Sequence, residues 1–301
     1  MDKRNVRLTI FTPTFNRIDT LKRTFNSLCN QTNKSFIWLI VDDGSTDSTK
    51  DVVTEWINKD NGFKIRYIYK TNGGMHTAHN TAYENIDTEL NTCIDSDDYM
   101  PMDAVDKILS FWDKYGSDKY AGMAGLDQNE DGTIIGTAFD RKETTLSGFY
   151  ARGGKGDKKL VYRTEVMKKY PKYPEFENEK LVPLSYKYIL CDQDYTLLTL
   201  NEPLVVVEYL ESGSSKNIFK QYIKSPRGFA EYRKVSMVYQ QKFLKRFTEC
   251  IHYVSSCKFY GEKHIIRYSP KKFMTMLAYI PGIMLNRLIL RKQESHTNIE
   301  R

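Results

Sequence analysis

The sequence predicts an α/β protein, a doubly wound and mostly parallel sheet followed by a helical C-terminal extension. Three observations carry this expectation. Strand-like and helix-like segments alternate from residue 6 to residue 126, the pattern of a parallel sheet covered on both faces. Two apolar runs, Ile40-Val41-Asp42-Asp43 and Cys93-Ile94-Asp95-Ser96-Asp97-Asp98, end abruptly in carboxylates, as buried strands do where they open into a crevice. Beyond Ser212 the chain reads as helical, with aromatic and basic residues interleaved.

Each element has a local reason. Val6 to Phe11 reads as a strand, and Thr12-Pro13-Thr14-Phe15-Asn16-Arg17 as a loop, since Pro13 has no N–H for a ladder. Leu21, Thr24, Phe25 and Leu28 share one helical face, and Phe36 to Val41 is a second apolar strand. Asp47 is placed to cap a helix that buries Val52, Val53 and Trp56. Ile65, Tyr67 and Tyr69 alternate as a third strand, which Thr71-Asn72-Gly73-Gly74 breaks. A helix around Ala78 to Tyr83 follows, then a short strand from Leu90 to Ile94. Asp103 to Tyr115 is helical with Val105, Ile108, Leu109 and Trp112 inward. Residues 126 to 160, rich in Gly, Thr and charge, predict hairpins and a mobile loop. Within them Gly148 to Lys159 reads first as a disordered surface loop and second as a lid over a phosphorylated ligand. Leu204 to Tyr209 is a further strand.

Composition narrows the function classes. The 301 residues include five cysteines without CxxC spacing, which argues against a disulfide framework or a structural zinc site and fits a reducing compartment. The first residues lead straight into a strand-like run with no signal-peptide core, so the expected location is cytoplasmic. Charge is uneven. Residues 216 to 301 hold 18 Lys+Arg against 5 Asp+Glu, a net of +13, whereas residues 1 to 215 hold 27 against 33, a net of −6. The basic tail is therefore the candidate for an anionic surface. Its apolar stretch, Phe273 to Leu290, is short and interrupted by Pro281, Gly282, Asn286 and Arg287, so it does not predict a spanning helix. Flanking Lys271-Lys272 and Arg291-Lys292 instead favour a segment lying in the headgroup plane on the inner face of the plasma membrane. The alternative is an appendage packed on the catalytic domain or on a second subunit. No nucleic-acid motif accompanies the charge, and nucleic acid is not an expected partner.

In a doubly wound sheet ligands lie beyond the carboxyl ends of the strands. Pro13 to Arg17, Asp42-Asp43, Asn72 to Gly74 and Asp95 to Asp98 all fall there. Three carboxylates in four positions repel one another and need a cation, a proton or a turn. A helix cap needs only one of them. An Asp-x-Asp at a strand end suits Mn²⁺ or Mg²⁺, which take oxygen ligands and leave positions open for phosphate oxygens. Asp42 or Asp43 is placed to accept from a base imide or a ribose hydroxyl. Gly73 and Gly74 allow close backbone approach, and Asn80 offers an amide nearby. His76 and His79, three apart on a short helix, lack two further zinc ligands and read as surface or ligand-contact residues.

Taken together and in order, Thr12-Pro13-Thr14-Phe15-Asn16-Arg17, Val41-Asp42-Asp43-Gly44-Ser45-Thr46-Asp47, Asn72-Gly73-Gly74 with Ala78 and Asn80, and Ile94-Asp95-Ser96-Asp97-Asp98 resemble the family 2 glycosyltransferases of the GT-A fold. The resemblance is strongest over residues 6 to 126. Through Gly156-Asp157-Lys158, Tyr173-Pro174-Glu175-Phe176-Glu177, Glu179-Lys180-Leu181-Val182-Pro183, Asn201-Glu202-Pro203-Leu204 and Glu208-Tyr209 it extends to bacterial polysaccharide- and capsule-type members. It implies a nucleotide-sugar-binding half (1–125), an acceptor-binding half (126–215) and a basic helical region (216–301). It also implies that Pro13, Asn16 and Arg17 line the nucleotide pocket, with Asp42 at the uracil or other base and Asp43 near the ribose. Asp95 and Asp97 would hold the metal, Ser96 would lie within the donor site, and Asp98 would face the donor sugar. The expected reaction is inverting transfer from a nucleotide-diphosphate sugar, usually a UDP-sugar, to a glycan or lipid-linked acceptor.

One departure matters. Relatives with the Glu-Lys-x-Val-Pro segment place a glutamate directly after the proline, and this chain has Leu184 there. Leucine cannot accept a proton, so Glu179, Asp192 and Asp194 become the candidate general bases. Asp192 and Asp194 read equally as solvated charge on a helix. The same leucine motivates an alternative, a catalytically impaired nucleotide-sugar-binding protein. A nucleotidyltransferase is disfavoured because Thr12 to Arg17 contains no glycine and a single basic residue.

Overall fold

The computed structural model describes residues 6–208 and 218–299, with side chains to residue 293. The chain forms two compact units, Met1–Pro171 with Asp194–Tyr209, and Lys172–Gln193 with Leu210–Arg301.

The first unit is built on one eight-stranded sheet. Its elements are β1 (Leu8–Thr14), α1 (Ile18–Cys29), β2 (Phe36–Asp42), α2 (Thr49–Ile57), β3 (Lys64–Tyr69), α3 (Met75–Asn85), β4 (Leu90–Cys93) and α4 (Ala104–Tyr115). They continue as β5 (Tyr120–Gln128), β6 (Glu143–Thr144), α5 (Leu146–Ala151), β7 (Lys158–Arg163) and α6 (Thr164–Lys169). After α7 (Ser185–Cys191), which belongs to the second unit, β8 (Thr196–Val206) returns to the sheet. Strand order is β3-β2-β1-β4-β7-β5-β8-β6. The β3-β2-β1-β4 half is parallel throughout, and β7 runs antiparallel to both β4 and β5. Strands from both sides of residue 125 share this sheet, whereas residues 172–193 fall in the second unit. Trp38, Leu8, Ile10, Ile40 and Leu90 are buried with Val53, Val105 and Ile108 in one apolar core, the continuous hydrophobicity that a sheet covered on both faces requires.

Two local expectations are corrected. β1 continues through Pro13 to Thr14. The Phe11 carbonyl faces β4 and accepts from Ile94, while the Thr14 carbonyl faces β2 and accepts from Asp43. Pro13 has the parity of Phe11, and β4 pairing ends at Phe11–Cys93, so its missing N–H costs no ladder bond. Residues 148–159 are not a disordered loop, since they run from α5 into β7, which pairs on both edges. Gly122 at φ +150° makes that pairing possible, because a Cβ there would sit 2.0 Å from the Val161 carbonyl oxygen.

The second unit is helical: α7, α8 (Ile218–Lys224), α9 (Pro226–Tyr239), α10 (Phe243–Phe259), α11 (Ile265–Tyr268), α12 (Lys272–Leu277) and α13 (Tyr279–Ile299). Its core gathers Ala230 and Met237 from α9, Cys250, Tyr253, Val254 and Cys257 from α10, then Ile265 and Ala278. Gly282 lets α13 press on α10, since a Cβ there would lie 2.5 Å from Val254 Cβ. No described helix is long and apolar enough to cross a membrane.

Candidate active site

Parallel register brings the ends of β3, β2, β1 and β4 side by side: Tyr69 beside Asp42, Asp42 beside Thr14, and Cys93 beside Phe11. The loops leaving these ends are tied together by polar side chains. Asn16 adopts a left-handed backbone (φ 51°), a conformation asparagine tolerates better than most residues. Its Oδ1 accepts from the Thr46 N–H at 2.7 Å, and its own N–H donates to Ser45 Oγ at 2.9 Å. The loop after β1 is thereby fastened to the loop after β2. Asp47, expected to cap a helix, accepts from Thr49 N–H at the start of α2 and from Ile18 N–H at the start of α1.

The Asp42-Asp43 pair is buried and hydrogen-bonded. Asp42 accepts from the Ser45 N–H at 2.7 Å and the Tyr67 hydroxyl at 2.5 Å. Asp43 accepts from Lys70 Nζ (2.7 Å), Gly73 N–H (3.0 Å) and Gly74 N–H (2.7 Å). Burying two carboxylates is costly unless each lone pair finds a donor, and these donors shape the turn into α3. Gly44 (φ +89°) closes the same corner, since a Cβ there would meet the Asn72 nitrogen at 2.8 Å. Asn72 donates to the Asp43 carbonyl at 2.7 Å, while its buried Oδ1 has no hydrogen-bond partner.

At the end of β4 the carboxylates crowd a single lysine. Arg17, from the β1 loop, pairs with Asp97. Arg23 donates to the Asp97 carbonyl at 2.7 Å and lies 5.1 Å from the centre of the Tyr99 ring. Buried Lys159, on β7, bonds the Cys93 carbonyl beneath the cluster. Burial raises the Asp95 carboxyl, with Lys159 pulling down and Asp97 pushing up. It lifts Asp98 to about 7, again against Lys159 and with help from Asp95 and Asp97. Ser96 is buried between them.

Such crowding suits a divalent cation. Among the described residues no group of three His, Cys, Asp or Glu side chains converges as a metal cage. Asp95 and Asp97 could offer one or two carboxylates to such an ion, with phosphate oxygens and water filling the rest of its shell.

Asp127, near the end of β5, escaped the sequence reading. It is buried, its Oδ1 has no hydrogen-bond partner, and burial lifts its carboxyl to about 6 against the pull of Lys159. A lone Asp in Gly-Leu-Asp-Gln carries no local signal. It interacts electrostatically with Asp95 and with Lys159 on β7, the strand that lies between β4 and β5. Thr14 Oγ1, at the end of β1, is also buried without a partner.

Other predicted residues have different surroundings. His76 and His79 are buried, not at the surface. The His79 ring meets Phe11 edge-on at 5.0 Å, a packing role. Asn80 is buried on α3. Of the candidate bases, Glu179 accepts from the Arg227 and Gly228 N–H groups (3.0 and 2.9 Å) and so caps α9. Asp192 ends α7, and Asp194 accepts from the Tyr170 hydroxyl at 2.7 Å. Leu184 precedes α7, and its carbonyl accepts from the Tyr173 hydroxyl at 3.0 Å.

Residues 9–170 match the model of Glycosyl transferase family 2, and the chain belongs to that family. It is 30% identical to glycosyltransferase GlyA of Streptococcus pneumoniae over 116 residues, 38% of this chain and 16% of that protein. To the chondroitin synthase of Pasteurella multocida it is 29% identical over 136 residues, 45% of this chain and 14% of the other. The chain thus spans a small fraction of these longer relatives. Among solved structures it resembles Staphylococcus aureus TarS 1–349 in complex with UDP-GlcNAc (TM-score 0.61, 17% identity, 96% of this chain and 92% of that one). It also resembles mannosyltransferase PcManGT of Pyrobaculum calidifontis with GDP-Man and Mn²⁺ (TM-score 0.55, 14% identity, 94% and 88%). The fold is GT-A.

Proposed function

We propose that this chain is an inverting, metal-dependent glycosyltransferase that uses a nucleotide-diphosphate sugar, a UDP-sugar in the first instance. It passes the sugar to a glycan or lipid-linked acceptor in cell-surface polysaccharide synthesis, at the cytoplasmic face of the membrane. The observation that carries this reading is a group of buried, partnerless polar atoms near the carboxyl ends of β1, β3 and β5: Thr14 Oγ1, Asn72 Oδ1 and Asp127 Oδ1. Buried polar atoms are normally paired, so orphans along the carboxyl edge of one sheet are sites for ligand donors. Asn72 and Thr14 are assigned to the base and ribose side, together with Pro13 and Asn16. Asp127 and Asp98 are assigned to hydroxyls of the donor sugar.

Each residue then has work to do. Asp43 holds Gly73 and Gly74 in place, so the nucleotide meets a preformed backbone surface rather than a mobile loop. Arg17, joined to Asp97, brings positive charge to the diphosphate side. Asp95 and Asp97 would hold Mn²⁺ or Mg²⁺, which when bound supplies a Lewis acid for the departing diphosphate. The acceptor oxygen forms its bond to the anomeric carbon from the opposite face as the diphosphate bond breaks. The hydroxyl proton passes to a carboxylate base. Glu179, Asp192 and Asp194 stay the candidate bases, with Glu179 already accepting from two N–H groups of α9 and Asp194 from the Tyr170 hydroxyl.

That occupied Glu179, together with Leu184, favours a second reading, a donor-binding protein that does not catalyse. Incubation of the full chain with UDP-sugars, Mn²⁺ and a panel of glycan and lipid-linked acceptors separates the two. Acceptor-dependent nucleotide release, with an inverted linkage by NMR, is expected. Retained configuration contradicts the mechanism, and donor binding without release across the panel establishes the second reading.

A further inference from the structure

The outward face of α12 and α13 is the wrong polarity for a helix facing water. Their inward face carries Thr275, Ala278 and Ile289, all buried, with Gly282 against α10 and Asn286 donating to the Ser255 carbonyl at 3.2 Å. A surface helix normally opposes such a face with polar residues. Here Phe273, Met276, Leu277, Ile280, Met284 and Leu288 occupy it, with Phe273 and Ile280 each 71% exposed and Met284 65%. Their spacing of three and four residues makes a continuous stripe. Pro281, in the first turn of α13, marks the junction between the two helices without displacing it, because its missing N–H falls at a helix start. Contiguous exposed apolar surface of this kind marks an interaction site.

Charge identifies the partner. Between Glu262 and Glu294 the chain has no Asp or Glu. Lys272 lies at one end of the stripe, Arg287 beside it, and Lys292 beyond it, all exposed. A second copy of this chain would set the same cations against one another across a two-fold axis. An acidic protein would satisfy the charge but need not match a long apolar row. An anionic lipid leaflet meets both demands: acyl chains for the row, headgroup phosphates for its rim. The absence of a spanning helix among the described residues agrees with a helix lying in the interface plane, sunk about 5–10 Å.

We infer that α12 and α13 form a membrane-docking face that seats the protein on anionic lipid through the Phe273–Leu288 stripe. The inference concerns the second unit alone and is independent of the sugar-transfer reading.

Flotation of the full chain with phosphatidylglycerol–phosphatidylcholine vesicles, against pure phosphatidylcholine, tests it. Binding to the anionic vesicles is expected, weakened by salt and reduced about tenfold or more in the double variant Ile280→Asp/Met284→Asp. These side chains are exposed, so the variant should keep its melting temperature and its thermal shift with UDP-sugars, which reports the first unit separately. Failure to float with anionic vesicles, or flotation untouched by the double variant, overturns the inference. So does lipid-free dimerisation in light scattering that the same variant abolishes, which would assign the stripe to a second copy.

Discussion

Asp127 shows how a single residue can belong to a site that its sequence neighbourhood does not announce. Its carboxyl is lifted from 3.8 to about 6, chiefly by burial. Between those values the folded chain binds more protons than the unfolded one. Stability therefore falls as pH rises through that window and stays reduced above it. Asp127→Asn keeps the shape and removes the charge. The variant should be more stable than the parent at neutral pH by roughly 1–3 kcal/mol, with the difference vanishing toward the acid end of the window. Urea melts followed by tryptophan fluorescence measure this, since Trp38, Trp56 and Trp112 all lie in the first unit. Equal stability at every pH would mean that the carboxylate is already satisfied. The contrast with Asp42 and Asp43 is instructive. Both were evident as carboxylates at a strand end, but only the folded chain reveals that they accept from Tyr67, Lys70 and backbone N–H groups. Likewise the helical spacing of His76 and His79 says nothing of burial, yet both are buried on α3, His79 against Phe11.

At the scale of elements, Gly282 sets how closely α13 approaches α10. Glycine to alanine in a helix normally stabilises by reducing the freedom of the unfolded chain. Here the added methyl would lie 2.5 Å from Val254 Cβ and 2.9 Å from the Ile251 carbonyl oxygen, which reverses the sign. Gly282→Ala should destabilise the second unit by roughly 1–3 kcal/mol, read as an earlier far-UV circular-dichroism transition with the tryptophan transition unchanged. An unaltered melt would show that the helices can separate at little cost. The elements best anticipated from sequence were those whose signal is local: the apolar strands β2 and β4, and the amphipathic α1 and α4. The insertion of β7 between β4 and β5 was not anticipated. Strand pairing between residues 90–92 and 161–163 depends on packing across long separation rather than on propensity. The same gap hid Lys159, which reaches the carboxylate cluster only through that pairing.

For the molecule as a whole, the uneven charge read from sequence separates two regions of different build. The net-negative body carries a sheet whose carboxylates gather at one edge. The net-positive tail carries a helical unit with an apolar outer stripe. What ties the body to glycosyl transfer is the claim that the ends of β2 and β4 hold a sugar nucleotide through a divalent ion. Isothermal titration of a UDP-sugar into the full chain tests this most directly, with Mn²⁺, with EDTA, and in the Asp97→Ala variant. Binding should require Mn²⁺ and weaken about tenfold or more in the variant, a loss of about 1.4 kcal/mol or more. An affinity unchanged by both EDTA and Asp97→Ala would contradict the account.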